Sequence, residues 1–198
     1  MSAVNALKKH LKPGQVYRRA DLLKWSNAVD RHIKQLLDDD VLVKVAQGVY
    51  ACPKKTSFGK AAPEDSKLVK AFLGTDDFLL FSPNAYNSLG LGTTQLYNEQ
   101  VVYNRKRHGR FKLGNRYFNF QRKPYFPKKL SREFLLVDLV SNVNKLAEDT
   151  SAVWSQALEL ASSMPSQAFK RAANTYGGVK ARKFVEQLEA MSQAHAAA

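Results

Sequence analysis

The stretch LVKVAQGVYACPKK, Leu42 to Lys55, has the makings of a small β-hairpin. Val41, Val43 and Val45 fall two residues apart, the period of a strand with one buried face. Gln47-Gly48 supplies a turn, residues 49–51 return, and Pro53, which cannot donate to a ladder, closes the unit. Immediately upstream, Ala28, Val29, Ile33, Leu36 and Leu37 make a helical stripe, with Arg31, Lys34 and Gln35 on the other face. That pattern predicts a helix over 27–37, with Ser26-Asn27 as its N-cap and Asp30 in its first turn, where it could also hold Arg31 and Lys34. Asp21, Leu22, Leu23 and Trp25 suit a second short helix before it. Residues 15–17 suit a short strand, and residues 3–11 form an amphipathic helix ended by Pro13-Gly14. Helix, strand, helix, helix and hairpin within about 55 residues is the order of a winged helix-turn-helix.

Downstream, residues 54–66 (KKTSFGKAAPEDS) read as a linker or helix entry, and Pro63, Glu64 and Asp65 open a helix through Phe72. Residues 78–81 read as a strand. Ser82-Pro83 start a helix that Gly90 stops. Residues 100–104 and 110–112 are expected to pair across RKRHG, and residues 117–122 add another strand. Ser131 and Glu133 open a strongly apolar helix. Helices over 150–162 and 165–176 follow, then a last one in GGVKARKFVEQLEAM, with the tail MSQAHAAA frayed. The expected fold class is α+β: a winged helix-turn-helix at residues 1–58, then a larger α+β domain at 61–198 with a small sheet and C-terminal helices.

Charge narrows the function. The chain carries 31 Lys and Arg against 17 Asp and Glu, a net of +14, and such a field attracts polyanions. Residues 1–60 hold 12 basic and 5 acidic side chains, residues 61–130 hold the same, and residues 131–198 hold 7 of each. A polyanion is therefore expected at the first two-thirds. One cysteine, Cys52, rules out an internal disulfide and fits a reducing cytoplasm. MSAVNALKKHLKPG lacks the apolar stretch of a secretory signal, and no run approaches the roughly 20 apolar residues that span a bilayer, so no membrane role is expected.

On the helix over 27–37, Ser26, Asn27, Arg31 and Lys34 sit where base edges and phosphates would be met; Arg pairs with guanine and Asn with adenine. Arg18, Arg19 and Lys24 before it, Lys44 and Gln47 on the hairpin, and Lys54 and Lys55 after it form a candidate phosphate-facing surface. Arg105, Lys106, Arg107, Arg110 and Lys112 make a second, denser patch, interleaved with Tyr103, Phe111, Tyr117 and Phe118. Those aromatics could stack on bases or form the buried side of strands. The patch could extend a DNA surface, hold RNA, or grip an acidic protein.

YRRADLLKWSNAVDRHIKQLLDDDVLVKVAQGVYACPK resembles the N-terminal winged helix of the AbiEi-type antitoxins, transcriptional regulators of type IV toxin–antitoxin systems. FSPNAYNSLGL is similar to a helix of that family ending Leu-Gly-Leu, the basic segment 101–122 continues the likeness, and ANTYGGVKARKFVEQLE is similar to its closing helices. At Gln47 the family usually carries Arg. The resemblance implies a repressor that binds double-stranded DNA at its own promoter, on inverted or repeated operator sites taking two copies of the chain. It further implies an antitoxin whose C-terminal domain counters a nucleotidyltransferase-like toxin, by direct contact or without it.

Catalytic patterns are missing. His10, His32, His108 and His195 show no ligand spacing, and Cys52 has no obvious His partner. Asp38-Asp39-Asp40 and Asp76-Asp77 read as exposed turns, not metal sites. LGLGTT at 89–94 lacks the Lys and spacing of a phosphate-binding loop, and TYGGVK reads as a helix–helix turn. No enzyme activity, cofactor or metal is expected. The alternative is an RNA-binding protein that uses the basic-aromatic segment 103–122.

Overall fold

The computed structural model describes residues 3–57, 59–91, 96–146 and 149–196, with side chains through 194. Its first elements are α1 (Ala3–His10), β1 (Val16–Arg18), α2 (Arg19–Leu23), α3 (Val29–Asp38), β2 (Val43–Ala46) and β3 (Val49–Ala51). The three strands form an antiparallel sheet in the order β1-β3-β2. Gly48 turns the hairpin at φ +70, a conformation open to glycine without strain. Val4, Leu7, Leu22, Val29, Ile33, Leu36 and Leu42 bury themselves together beneath this sheet.

The expected cap of α3 is placed differently. The helix starts at Val29, and its N-cap is Ala28. Ser26 is buried: its Oγ accepts the Ala28 amide at 3.3 Å and lies 2.6 Å from His32 Nδ1. The hydroxyl thus ties the α2–α3 turn to the buried face of α3. At the other end Asp40 adopts φ +59, and the amides of Val41 and Leu42 both reach the carbonyl of Leu36 at 2.9 Å.

The segment expected as a linker contains a second hairpin, β4 (Lys54–Thr56) with β5 (Gly59–Ala61). Residue 58, the expected end of the first domain, lies outside the described residues between these strands. Helix α4 (Asp65–Leu73) follows, with Glu64 at its N-cap. Then come β6 (Phe78–Phe81), a 3-10 helix (Pro83–Leu89) capped by the Ser82 hydroxyl, β7 (Gln100–Asn104), β8 (Gly109–Leu113) and β9 (Arg116–Arg122). Of LGLGTT, the part from Gly92 onward lies outside the described residues.

The four strands run in the order β6-β7-β9-β8. The expected pairing of 100–104 with 110–112 is therefore absent: β9 lies between them, parallel to β7 and antiparallel to β8. Composition accounts for the choice. β9 carries Phe118 and Phe120, both fully buried, whereas β8 carries exposed Arg110 and Lys112. The apolar strand takes the centre and the charged one the edge, where unpaired backbone groups meet water.

Helices α5 (Arg132–Asn142), α6 (Thr150–Ser163), α7 (Ser166–Tyr176) and α8 (Val179–Ala196) complete the chain, with a 3-10 turn (Val143–Lys145) after α5. Residues 134–140 of α5 are all buried, the mark of a core helix. The tail expected to fray is helical to Ala196; Ala197 and Ala198 lie outside the described residues.

Alternation along β7 sorts the core. Val101 and Tyr103 join Phe134, Leu139, Phe169 and Phe184 of the helical layer. Val102 faces the opposite way, into a cluster with Leu68, Val69 and Leu73 of α4 and with Phe118 and Phe120. Val45, Val49 and Ala51 of the first hairpin belong to that same cluster, so its apolar contacts run across the expected boundary between 58 and 61. The described residues form a mixed α+β structure with three small sheets. Among the described residues no helix is long and apolar enough to cross a membrane.

Candidate nucleic-acid interface

Helix α3 has two faces. Val29, His32, Ile33 and Leu36 are buried, while Arg31, Lys34, Gln35 and Asp38, together with Asn27 just before the helix, are exposed. At 100° per residue Asn27, Arg31, Lys34, Gln35 and Asp38 fall on one stripe. Asn27, Arg31 and Lys24 also rim a groove of about 570 Å³ that includes His10, stacked flat on Trp25 at 4.8 Å.

The arginines and the serine proposed beside α3 have other partners. Arg18 donates to both oxygens of Asp21, at 3.1 and 2.9 Å, and this pairing holds the Asp21 carboxyl below its ordinary range. Its guanidinium lies in a cleft of about 440 Å³ against α4. There Gly74 has φ +68, and a Cβ on it would come within 2.6 Å of Arg18 Nη1. Arg18 is thus directed toward α4. Arg19 forms a two-pronged pair with Asp30, at 2.7 and 2.6 Å. Asp30 therefore holds Arg19, not Arg31 or Lys34, and its carboxyl is lowered for that reason. Ser26, buried and bonded to His32, is removed from any base-reading surface.

Lys44 and Gln47 are exposed on the first hairpin, and Lys54 and Lys55 on the second. Arg31, Lys34, Lys44 and Lys54 form no ion pair with any described residue. Lys60, which sequence reasoning passed over, stands opposite Lys55 and pairs with Asp40 at 2.8 Å. The only signal for it was its place in KKTSFGK, five residues after Lys55.

The second basic patch is engaged within the protein. Arg105 pairs with Asp77, donates to the Pro124 carbonyl at 3.0 Å and lies 5.1 Å from the centre of the Phe126 ring. The Lys106 ammonium reaches the Leu73 carbonyl at 3.1 Å, at the negative end of α4. Arg107 sits over Phe72 at 4.5 Å, and Arg110 pairs with Glu99 at 2.7 Å while covering Tyr117 at 4.3 Å. Lys112 lies 5.7 Å from the Tyr117 ring. Asn104, fully buried, accepts the amides of Lys106 and Arg107 and shapes the turn. Tyr103 and Phe118 are buried, Phe111 is half-buried, and Tyr117 is exposed.

Asp138 of α5 is buried and accepts from Tyr86 at 2.6 Å, from Tyr103 at 2.7 Å and from the Lys123 ammonium at 3.2 Å. Burial raises both tyrosine pKa values well above the ordinary phenol range. Cys52 is buried, which pushes its thiol up and away from nucleophilic character. Among the described residues no three His, Cys, Asp or Glu gather to hold a metal. Asp38 is the exposed last residue of α3, and Asp39 and Asp40 lie on the exposed turn after it; Asp76 pairs with Lys70.

No curated protein sequence matches the chain. Its fold is similar to that of the RV2827C protein from Mycobacterium tuberculosis, known from a crystal structure. The TM-score is 0.55 at 18% identity, over 93% of this chain and 74% of that one. A family model matches residues 3–149, which reach from α1 past the four-stranded sheet and α5. The chain accordingly belongs to DUF6088, a family of unknown function.

Proposed function

We propose that the chain is a cytoplasmic DNA-binding repressor whose N-terminal part is a winged helix-turn-helix. In this reading α2 and α3 are the helix pair, α3 enters the major groove, and β2–β3 is the wing. The observation that carries it is the exposed stripe Asn27, Arg31, Lys34 and Gln35, in which neither cation forms an ion pair with a described residue, on a helix followed by a hairpin that exposes Lys44 and Gln47. Exposed cations along one helix face, in a chain of +14, are the electrostatic footprint of a polyanion-binding surface. Arg31 and Asn27 are the base readers; Lys24, Lys44 and Lys54 neutralise phosphates. Arg19 joins them when a phosphate displaces Asp30, an exchange open to an exposed pair.

The resemblance to AbiEi-type antitoxins supports a further part of the proposal: the helical layer α5–α8 counters a nucleotidyltransferase-like toxin encoded beside this chain. The RNA-binding alternative draws on Tyr117, exposed between Arg110 and Lys112. Burial of Tyr103 and Phe118, and the internal partners of Arg105, Lys106, Arg107 and Arg110, weigh against it.

A gel-shift competition between a duplex from the chain's own upstream region and a structured RNA of equal length tests the reading. The duplex should win, and replacing Arg31 and Lys34 by Ala should abolish the shift. Unchanged binding by that folded double variant would overturn it.

A further inference from the structure

Among its described residues the β4–β5 ribbon has no core of its own. Lys54, Lys55 and Thr56 are exposed, as are Gly59 and Lys60, and only Ala61 is half-buried. Two strands without an apolar face are marginal in water. The register adds a penalty: Lys55 stands directly opposite Lys60, so two ammonium groups share one face of the ribbon. Like charges in that relation are destabilising. The nearby anion is Asp40, held at φ +59 just beyond α3, whose carboxylate meets Lys60 at 2.8 Å. Lys60 and, at longer range, Lys55 both draw its pKa below the ordinary value. One exposed carboxylate thus stands against two cations.

We propose that the β4–β5 ribbon is an arm for the phosphate backbone of duplex DNA, gripping it through Lys55 and Lys60, with Asp40 occupying the anion's place in the free protein. The inference rests on the DNA-binding reading above. Continuity favours DNA as the occupant: the ribbon follows directly on the β2–β3 hairpin, and Asp40 sits two residues past the end of α3. Asp40 is then a competitor for the site. It offsets the repulsion between Lys55 and Lys60 without DNA and sets how tightly the backbone is held.

With Asp40 as competitor, removing this acidic residue should tighten binding. Asp40→Asn suits the test because Asn tolerates the left-handed conformation. The probe is a labelled random-sequence duplex of about 30 base pairs, with affinity measured from about 50 to 200 mM salt. Asp40→Asn should bind about twofold to fivefold more tightly at the low end. Lys55→Ala/Lys60→Ala should bind more weakly, and its log–log salt slope should shrink by between about 0.9 and about 1.8. Both variants should keep the wild-type circular dichroism spectrum. If Asp40→Asn binds no more tightly, or the double lysine variant keeps the wild-type slope while Arg31→Ala/Lys34→Ala weakens binding, the arm is wrong and the DNA reading stands. If the wild type binds no duplex at all, both fall together.

Discussion

The carbonyl of Val45, in the first hairpin, accepts the amide of Gly114, in the turn between β8 and β9, at 2.8 Å. Beside that bond Val45, Val49 and Ala51 pack into the cluster built by α4 and the sheet. The hairpin therefore has a floor made from α4, which follows soon after it, and from Leu113, Phe118 and Phe120, which come more than sixty positions later. Its angle to the four-stranded sheet is set by packing, not by a tether.

A shared cluster implies shared unfolding. The chain should melt in one transition, followed in parallel by near- and far-ultraviolet circular dichroism. Phe118→Ala, at the centre of that cluster, should cost about 3–5 kcal/mol and lower the single midpoint. Two resolved transitions, with only the second moved by Phe118→Ala, would show that the hairpin and sheet unfold separately.

On DNA, Arg31→Ala should cost about 1–3 kcal/mol on the specific site and relax its sequence preference. Lys54→Ala should weaken specific and random duplexes alike and flatten the salt dependence. Titrations of both variants on both duplexes separate the roles, and equal losses for Arg31→Ala on the two would remove it as a base reader.

Asp138→Ala strands two tyrosine hydroxyls and the Lys123 ammonium around a buried hole. The expected loss is about 3–5 kcal/mol, against about 1 kcal/mol for Tyr103→Phe, which keeps the remaining bonds. Denaturant melts give both numbers, and equal losses would mean that the carboxylate is not the hub.

The same network predicts an alkaline limit. Tyr86 and Tyr103 have raised pKa values in the folded chain. Their contribution is complete below the ordinary phenol value of 10.0 and fades as pH rises above it, because the unfolded chain loses those protons first. Phenolate absorbance should show these two tyrosines ionising only as the fold is lost. Ordinary titration of all eight tyrosines in a folded chain would contradict it.

Asp21 behaves in the opposite sense. Arg18 lowers its pKa, so its contribution is present above the ordinary carboxyl value of 3.8 and is lost as pH falls below that toward the folded value. Asp21→Asn should therefore be less stable than wild type at neutral pH and converge with it in strong acid. A gap that stays constant down to low pH would remove Asp21 as a source of acid sensitivity.

Periodicity made much of the fold readable. The stripe from Val29 to Leu36 and the Ser131 cap before Phe134 announce elements the structure contains. β2 lies where Val43 and Val45 alternate, but Val43 is exposed and a register shift between Lys44 and Ala46 breaks the single buried face expected there. The β4–β5 ribbon was hidden because KKTSFGK has no apolar alternation to show a strand. The β7–β9 pairing was hidden because register between distant strands leaves no local mark. The basic patch misled for a related reason: Asp77, Pro124 and Leu73, which engage Arg105 and Lys106, are remote in sequence. Ser26 kept its capping chemistry but turned it inward, toward His32.

The parallel β7–β9 pair also sets a timetable. A local hairpin can close as soon as its strands exist, but β7 cannot gain its second neighbour until residue 122 has been made, because β9 must come back past β8 to reach it. Val45 and Val49 wait on the same event for the part of their floor that Phe118 and Phe120 supply. During synthesis, then, the region with the exposed basic helix emerges first and gains its full support last. A nascent chain holds α3 long before it holds it firmly, and tight engagement of a polyanion belongs to the chain grown through β9.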